Sequence, residues 1–204
     1  MITIVDYGLG NVRAFLSVYR RLNIEANTAR NREELKAASK LILPGVGSFD
    51  HAIEQLDGSG MRETLDERVL GDRVPVLGVC VGMQILARSS EEGKASGLGW
   101  IEGSVKALGS LVSTERLPVP HMGWNDVCPL PGTKLFDQLD NGARFYFLHS
   151  YYFHCERDNE AIAVSSYGLE FACAVNSANV FGVQFHPEKS HRCGTRLLQN
   201  FAEL

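Results

Sequence analysis

Two short stretches of the chain carry side chains able to do nucleophilic chemistry together. The first is Gly78-Val79-Cys80-Val81-Gly82, entered from the apolar pair Val76-Leu77 and left through Met83-Gln84-Ile85-Leu86-Ala87. An apolar run that turns sharply into a helix presents the residue at its apex, the mechanical idea of a nucleophile elbow. Glycines on either side of Cys80 permit a tight bend and a close approach of substrate to backbone. A helix over 83–87 would aim its N-terminal N–H groups and positive end at the sulfur, favouring the thiolate. The plain alternative is a small buried cysteine without chemistry. The second stretch is Gln184-Phe185-His186-Pro187-Glu188. A residue before proline is driven to extended geometry, and Pro187 fixes its own φ. In an extended segment His186 and Glu188, two apart, point the same way. That relation suits a base and its orienting carboxylate, which holds the imidazole tautomer and stabilises the imidazolium once it has taken the thiol proton. Singly they read as a strand-end histidine and a solvated charge. With Cys80 they read as a set.

The elements that must position this set follow from hydrophobic patterning. Residues 2–5 form a short apolar run ending in Asp6-Tyr7-Gly8-Leu9-Gly10-Asn11, after which Val12, Phe15, Leu16, Tyr19 and Leu22 recur at helical spacing. Gly8-x-Gly10 lacks the third glycine of a dinucleotide fingerprint, so a tight turn or a partner contact is the better reading. A second strand is predicted over 24–26, and Asn31 with Glu34 marks a helix start before Leu35. A third strand over 41–43 is expected to stop at Pro44, opening the loop Gly45-Val46-Gly47-Ser48. Such a loop at a strand's carboxyl end is either a plain βα connection or a cradle of free amides for an oxyanion. Helices over 52–56 and 65–70, broken at Gly58-Ser59-Gly60, precede a strand over 74–79 that delivers Cys80. This βα alternation implies a parallel sheet covered on both faces. After a polar loop over 89–99 strands dominate: 105–108, 124–127, 144–153, 161–166, 171–175 and 180–185, with a closing helix over 192–202. Turn signals between them imply an antiparallel or mixed portion.

Bulk properties exclude several classes. A net charge of −4 with no Lys/Arg run argues against nucleic acid, and no segment approaches the ~18 apolar residues of a membrane span. Residues 1–6 lack the basic and apolar regions of a signal peptide. Cys80, Cys128, Cys155, Cys173 and Cys193 are scattered, without a C-x-x-C pair, which suits reduced thiols in the cytoplasm. No metal site is expected. His154-Cys155 lacks further ligand spacing, and His51, His121, His149, His154 and His191 are expected to be structural or superficial.

Gly78-Val79-Cys80-Val81-Gly82-Met83-Gln84 paired with Phe185-His186-Pro187-Glu188 resembles the class I glutamine amidotransferase family, essentially over the whole chain. The resemblance implies an α/β single domain over 1–204, with a mixed, mostly parallel central sheet flanked by helices. It implies a Cys80–His186–Glu188 triad hydrolysing L-glutamine, with no cofactor. Pro44-Gly45-Val46-Gly47 matches that family's oxyanion loop, making the Val46 and Val81 amides the implied donors. Its glutamine-holding positions fall on Gly47, Gln84, Ser150 and Tyr151. More narrowly, Asp6-Tyr7-Gly8-Leu9-Gly10-Asn11, His121-Met122-Gly123-Trp124-Asn125 and Glu188-Lys189-Ser190 resemble members that pass ammonia to a (β/α)8-barrel cyclase in histidine biosynthesis. A heterodimer is then implied, with Asn11, Trp124 and Lys189 at the interface and the acceptor site on the other chain. Val81 departs from the commoner Leu of the elbow, without touching the triad. Two other readings stand beside this one: the glutaminase partner of a pyridoxal phosphate synthase, and a catalytically silent regulatory module on the same fold.

Overall fold

In the first half of the chain, parallel strands lead into the residues named for chemistry, with Val46 and Gly47 after the third strand and Cys80 at the end of the fourth. The computed structural model describes residues 1–110, 117–139 and 142–204. The run Ile2-Thr3-Ile4-Val5 is β1 (Ile2–Val5), buried at all four positions as a strand covered on both faces must be. It lies between β2 (Ala26–Ala29) and β3 (Lys40–Gly45), and β3 continues the sheet to β4 (Val76–Cys80) and β12 (Val180–Val183). These five strands are parallel, in the order β2-β1-β3-β4-β12. The register sets Gly45 beside Cys80 and Val183 beside Val79. The carboxyl ends of β3, β4 and β12 therefore converge, which is where α/β sheets hold ligands.

Beyond β12 the sheet is antiparallel, through β11 (Glu170–Ser177), β10 (Ala161–Ser166), β7 (His121–Pro129) and β8 (Ala143–His149). A branch leaves at β11 through β9 (Tyr151–Cys155) to β6 (Gly103–Ala107) and the two-residue β5 (Ser89–Ser90). Helices α1 (Val12–Arg21), α2 (Arg32–Lys36), α3 (Phe49–Gly58), α4 (Arg62–Asp66), α5 (Val81–Gln84) and α6 (His191–Glu203) flank the sheet. α1 buries Phe15, Val18 and Tyr19, and the Tyr19 hydroxyl donates to the Leu198 carbonyl of α6 at 3.2 Å. Asn31 caps α2 by accepting from Glu34 N at 3.0 Å, as its spacing predicts. Among the described residues no helix is long and apolar enough to cross a membrane.

Four local expectations are corrected. Pro44 does not end its strand, because β3 runs on to Gly45. Its ladder with β1 stops at Ile42, so the missing proline N–H faces no waiting acceptor on that side. β2 begins at Ala26, two residues later than predicted at Ile24, since an edge strand with one neighbour tolerates the polar Asn27 and Thr28. The single strand expected over 144–153 is two strands that part at Ser150 and join different neighbours. The helix after Cys80 is only the four residues of α5. The carbonyls of Ile85, Leu86 and Ala87 instead accept from the amides of Leu98, Ile101 and Gly99, so tertiary bonds replace the next helical turn.

Candidate active site

Cys80 sits at the junction of β4 and α5 with φ 56° and ψ −115°, a backbone conformation that side-chain-bearing residues rarely adopt. The strain falls on Cys80 itself, and the flanking glycines serve a different purpose. A Cβ on Gly78 would lie 2.5 Å from the Gly82 carbonyl oxygen, and one on Gly82 would overlap the Leu43 carbonyl oxygen. Both are glycine because α5 packs back onto β3 and β4 with no room for a side chain. Gly45 is tied in the same way, its Cβ position overlapping the Gly82 amide nitrogen. Of the two glycines beside Val46, only Gly47 has a positive φ, at 89°, and open space around it.

β12 delivers His186 to the sulfur. Its Nδ1 lies 2.9 Å from Glu188 Oε1, and the two side chains are 5% and 3% exposed. The segment is not extended as predicted: His186 is, but Pro187–Lys189 forms a turn of 3-10 helix. That turn, rather than strand alternation, swings Glu188 back onto the imidazole. Burial works against a charged His186, but hydrogen bonds to the Cys80 and Glu188 side chains and coulombic attraction to both outweigh it, so His186 is pushed up to about 9. The thiol also approaches the Leu148 carbonyl at 3.8 Å, and the fully buried Gln184 amide donates to the sulfur at 3.9 Å.

A cavity of about 230 Å³ opens on Cys80 and His186. Val46, Gly47, Val81, Gln84, Ser150 and Tyr151, the residues expected around an oxyanion and a glutamine, all line it. Tyr7 steadies the Val46 side of the cavity, its buried hydroxyl donating to the Pro44 carbonyl at 2.7 Å. Burial, then the proximity of Cys80, raises the Tyr7 hydroxyl far above its ordinary value, so it stays a donor. The cavity also contains residues that sequence patterning missed: Glu92, Pro120, Leu148 and His149. Glu92 lies in a polar loop without a periodic signal, and its carboxylate is recruited by accepting from the Phe49 amide at 2.8 Å, capping α3 where Ser48 does not. His149, expected to be structural or superficial, is 5% exposed and on the cavity wall. A His-x-Tyr next to a strand end is too common a pattern to have flagged it.

The three residues expected at an interface are placed differently from one another. Asn11 caps α1, accepting from Ala14 N at 3.2 Å. Trp124 is 40% exposed and stacks on His191 at 5.1 Å with the rings 8° apart. Lys189 holds its ammonium 5.7 Å from the Tyr146 ring centre. Trp124 and Tyr146 face each other across β7 and β8, so the last two expected residues share one surface cluster. Among the described residues no group of three or more His, Cys, Asp or Glu side chains could hold a metal ion.

A strained cysteine, a buried imidazole and a carboxylate beside a small cavity can form and hydrolyse an acyl thioester. Comparison with known proteins agrees in fold and in sequence. Residues 3–204 match the family model described as glutamine amidotransferase class-I. The chain is 55% identical over 204 residues to the imidazole glycerol phosphate synthase subunit HisH of Bdellovibrio bacteriovorus, covering 100% of both chains. It is 53% identical over the same span to the protein of that name from Leptospira interrogans, again covering 100% of each. A crystal structure described as a glutamine amidotransferase superposes with a TM-score of 0.75 at 22% identity, covering 99% of this chain and 97% of that one. The chain belongs to the class I glutamine amidotransferase family.

Proposed function

We propose that this protein is the glutaminase subunit of an imidazole glycerol phosphate synthase in histidine biosynthesis, working as one domain over residues 1–204. The observation that carries the reading is the Cys80–His186–Glu188 arrangement: Cys80 and His186 line a cavity of about 230 Å³, and a buried Glu188 carboxylate backs the imidazole at 2.9 Å. Relatives bearing that synthase name match the chain end to end at more than 50% identity. Cys80 attacks the side-chain carboxamide of L-glutamine, and the Val46 and Val81 amides receive the developing oxyanion. His186, held as imidazolium by Glu188, protonates the departing ammonia and leaves a γ-glutamyl thioester on Cys80. The same imidazole then activates water, and glutamate is released. Gly47, Gln84, Ser150 and Tyr151 hold the glutamine, and the Glu92 carboxylate suits its ammonium group.

Ammonia protonates in bulk water and loses its nucleophilicity, so the product passes to a second subunit docked over the site, a (β/α)8-barrel cyclase forming a heterodimer. Exposed apolar side chains support this docking: Val46 and Leu148 line the cavity, Met122, 62% exposed, pairs with Leu148 across β7 and β8, and Trp124 follows on the same face of β7. Asn11, Trp124 and Lys189 make the contact. The free state of all five cysteines suits a reducing compartment, the cytoplasm. A pyridoxal phosphate synthase partner gains no support from the relatives' names, and a silent module none from the intact triad. A glutamine-like chloroketone tests the reading: Cys80 should be alkylated and protected by glutamine. Labelling of the exposed Cys128 with Cys80 untouched would contradict it.

A further inference from the structure

Two chains of hydrogen bonds meet at the Tyr151 carbonyl, one coming from the β7 surface and one that reaches Cys80. His149 Nδ1 lies 2.8 Å from the Tyr151 carbonyl, and a carbonyl only accepts, so Nδ1 carries the proton. His149 Nε2 lies 2.9 Å from His121 Nδ1. Burial holds both rings well below the ordinary histidine value, His149 at about 3 and His121 at about 4, so each has one proton to place. His149 Nε2 is then an acceptor and His121 Nδ1 its donor. His121 Nε2 accepts in turn from Asn125 Nδ2 at 3.2 Å. The Asn125 amide cannot flip, because Nδ2 also donates to the Ser166 carbonyl at 2.9 Å and Oδ1 accepts from the Asp126 amide at 2.8 Å. From the other side, Gln84 Nε2 donates both to the Tyr151 carbonyl and to Gln184 Oε1, each at 3.0 Å. Gln184 then turns its own amide nitrogen to the Cys80 sulfur at 3.9 Å.

We propose that His121 and His149 are positioning residues for glutamine hydrolysis, locking the Tyr151 carbonyl and, through it, the Gln84 and Gln184 amides that face glutamine and Cys80. The proposal rests on the glutaminase reading. One proton per bond and one direction of donation leave the wall of the cavity a single arrangement. Without the His121 donor, His149 Nε2 is an unpaired buried acceptor. Its ring is then free to flip and release Tyr151, whose carbonyl Gln84 alone would hold. His121 has a packing role as well, lying between Phe147 at 4.7 Å and Tyr167 at 4.1 Å, and the test must separate the two.

Two substitutions do so. His121→Phe keeps the stack and removes the donor, whereas His121→Asn loses the stack and puts an amide N–H close to the Nδ1 position. With the chain assembled with its synthase partner, glutamine KM should rise about tenfold in His121→Phe, the expected effect of one lost buried hydrogen bond. It should stay within about threefold of wild type in His121→Asn. Nitrogen-15 NMR of labelled histidines near pH 7 should find both wild-type rings neutral with the proton on Nδ1. In His121→Phe the His149 ring should lose that single tautomer. A KM in His121→Phe equal to wild type, a greater loss in His121→Asn than in His121→Phe, or a His149 proton on Nε2 would each overturn the positioning role alone. A wild type that releases no glutamate would overturn the glutaminase reading and this role with it.

Discussion

At the scale of single residues, chemistry depends on how His186 holds its proton. Burial alone would strip it, and hydrogen bonds to Cys80 and Glu188 reverse that, raising the imidazole from 6.5 to about 9. A raised histidine stabilises the folded state fully below its unfolded value near 6.5, and that contribution disappears as pH rises through about 9. In the proposed mechanism the leaving ammonia takes the same proton, so kcat/KM should fall along an alkaline limb near 9. Glu188→Gln keeps an acceptor for Nδ1–H but no charge to hold the imidazolium, so the limb should move to lower pH. His186→Ala should cost about 100- to 10,000-fold, and Glu188→Gln less. A pH–rate profile of the three proteins checks this, and an unmoved limb in Glu188→Gln would mean that the carboxylate does not act on His186. The grouping of Cys80, His186 and Glu188 was legible in the sequence because glycines two residues to either side mark Cys80 and Pro187 separates His186 from Glu188. His149 and Glu92 were not legible, because contacts made far along the chain, from His121 and Phe49, give them their places.

At the scale of elements, the elbow is a problem of backbone clearance. α5 sits so close to β3 that Gly82 can take no side chain without displacing the Leu43 carbonyl. Gly82→Ala should therefore destabilise the fold by about 1–3 kcal/mol, as overpacked sites do, and impair turnover. Gly58, with nothing within 4 Å of its Cβ position, is the control: Gly58→Ala should be neutral or stabilising by up to about 1 kcal/mol. Denaturant midpoints of the two variants decide it, and equal midpoints would show that α5 can retreat from β3. Element order was readable from periodicity for β1, α1, β3, β4 and α6, where core burial imposes the pattern. Boundaries failed where tertiary hydrogen bonds replaced local ones. Loop 97–101 stops α5 by taking the carbonyl groups of the three residues that follow it, Ile85, Leu86 and Ala87, and Ser150 divides the 144–153 run because the two halves join different strands. Neither partner segment can be inferred from the stretch it interrupts.

At the scale of the whole molecule, the carboxyl ends of β3, β4 and β12 gather Cys80, His186, Glu188 and the Val46 amide, beside an exposed apolar patch. In an ammonia-passing enzyme a free glutaminase would waste glutamine, so the lone chain should be slow and its partner should switch it on. Gly47 is the freer of the two glycines beside Val46, with its positive φ and open surroundings, whereas Gly45 is wedged against Gly82. Rotation of the Val46–Gly47 segment is therefore the available motion, and placing one oxyanion donor is worth about 100- to 1,000-fold in rate. Trp124→Ala removes the exposed ring stacked on His191 and should weaken the response to the partner while leaving Cys80 open to alkylation. Glutamate release by the isolated variant equal to wild type, with loss only in the complex, is the expected pattern. Full activation of Trp124→Ala would place the docking contact elsewhere.

In the proposed mechanism Cys80 alone starts glutamine chemistry, and the ammonia it frees is used by another subunit. The most direct measurement is product formation by the complex of Cys80→Ala with its synthase partner, supplied in parallel with glutamine and with an ammonium salt. The mutation removes the thioester step and leaves the acceptor chemistry untouched. Glutamine-dependent synthesis should vanish while ammonia-dependent synthesis continues at the wild-type rate. Normal glutamine hydrolysis by Cys80→Ala would mean that another group attacks the carboxamide.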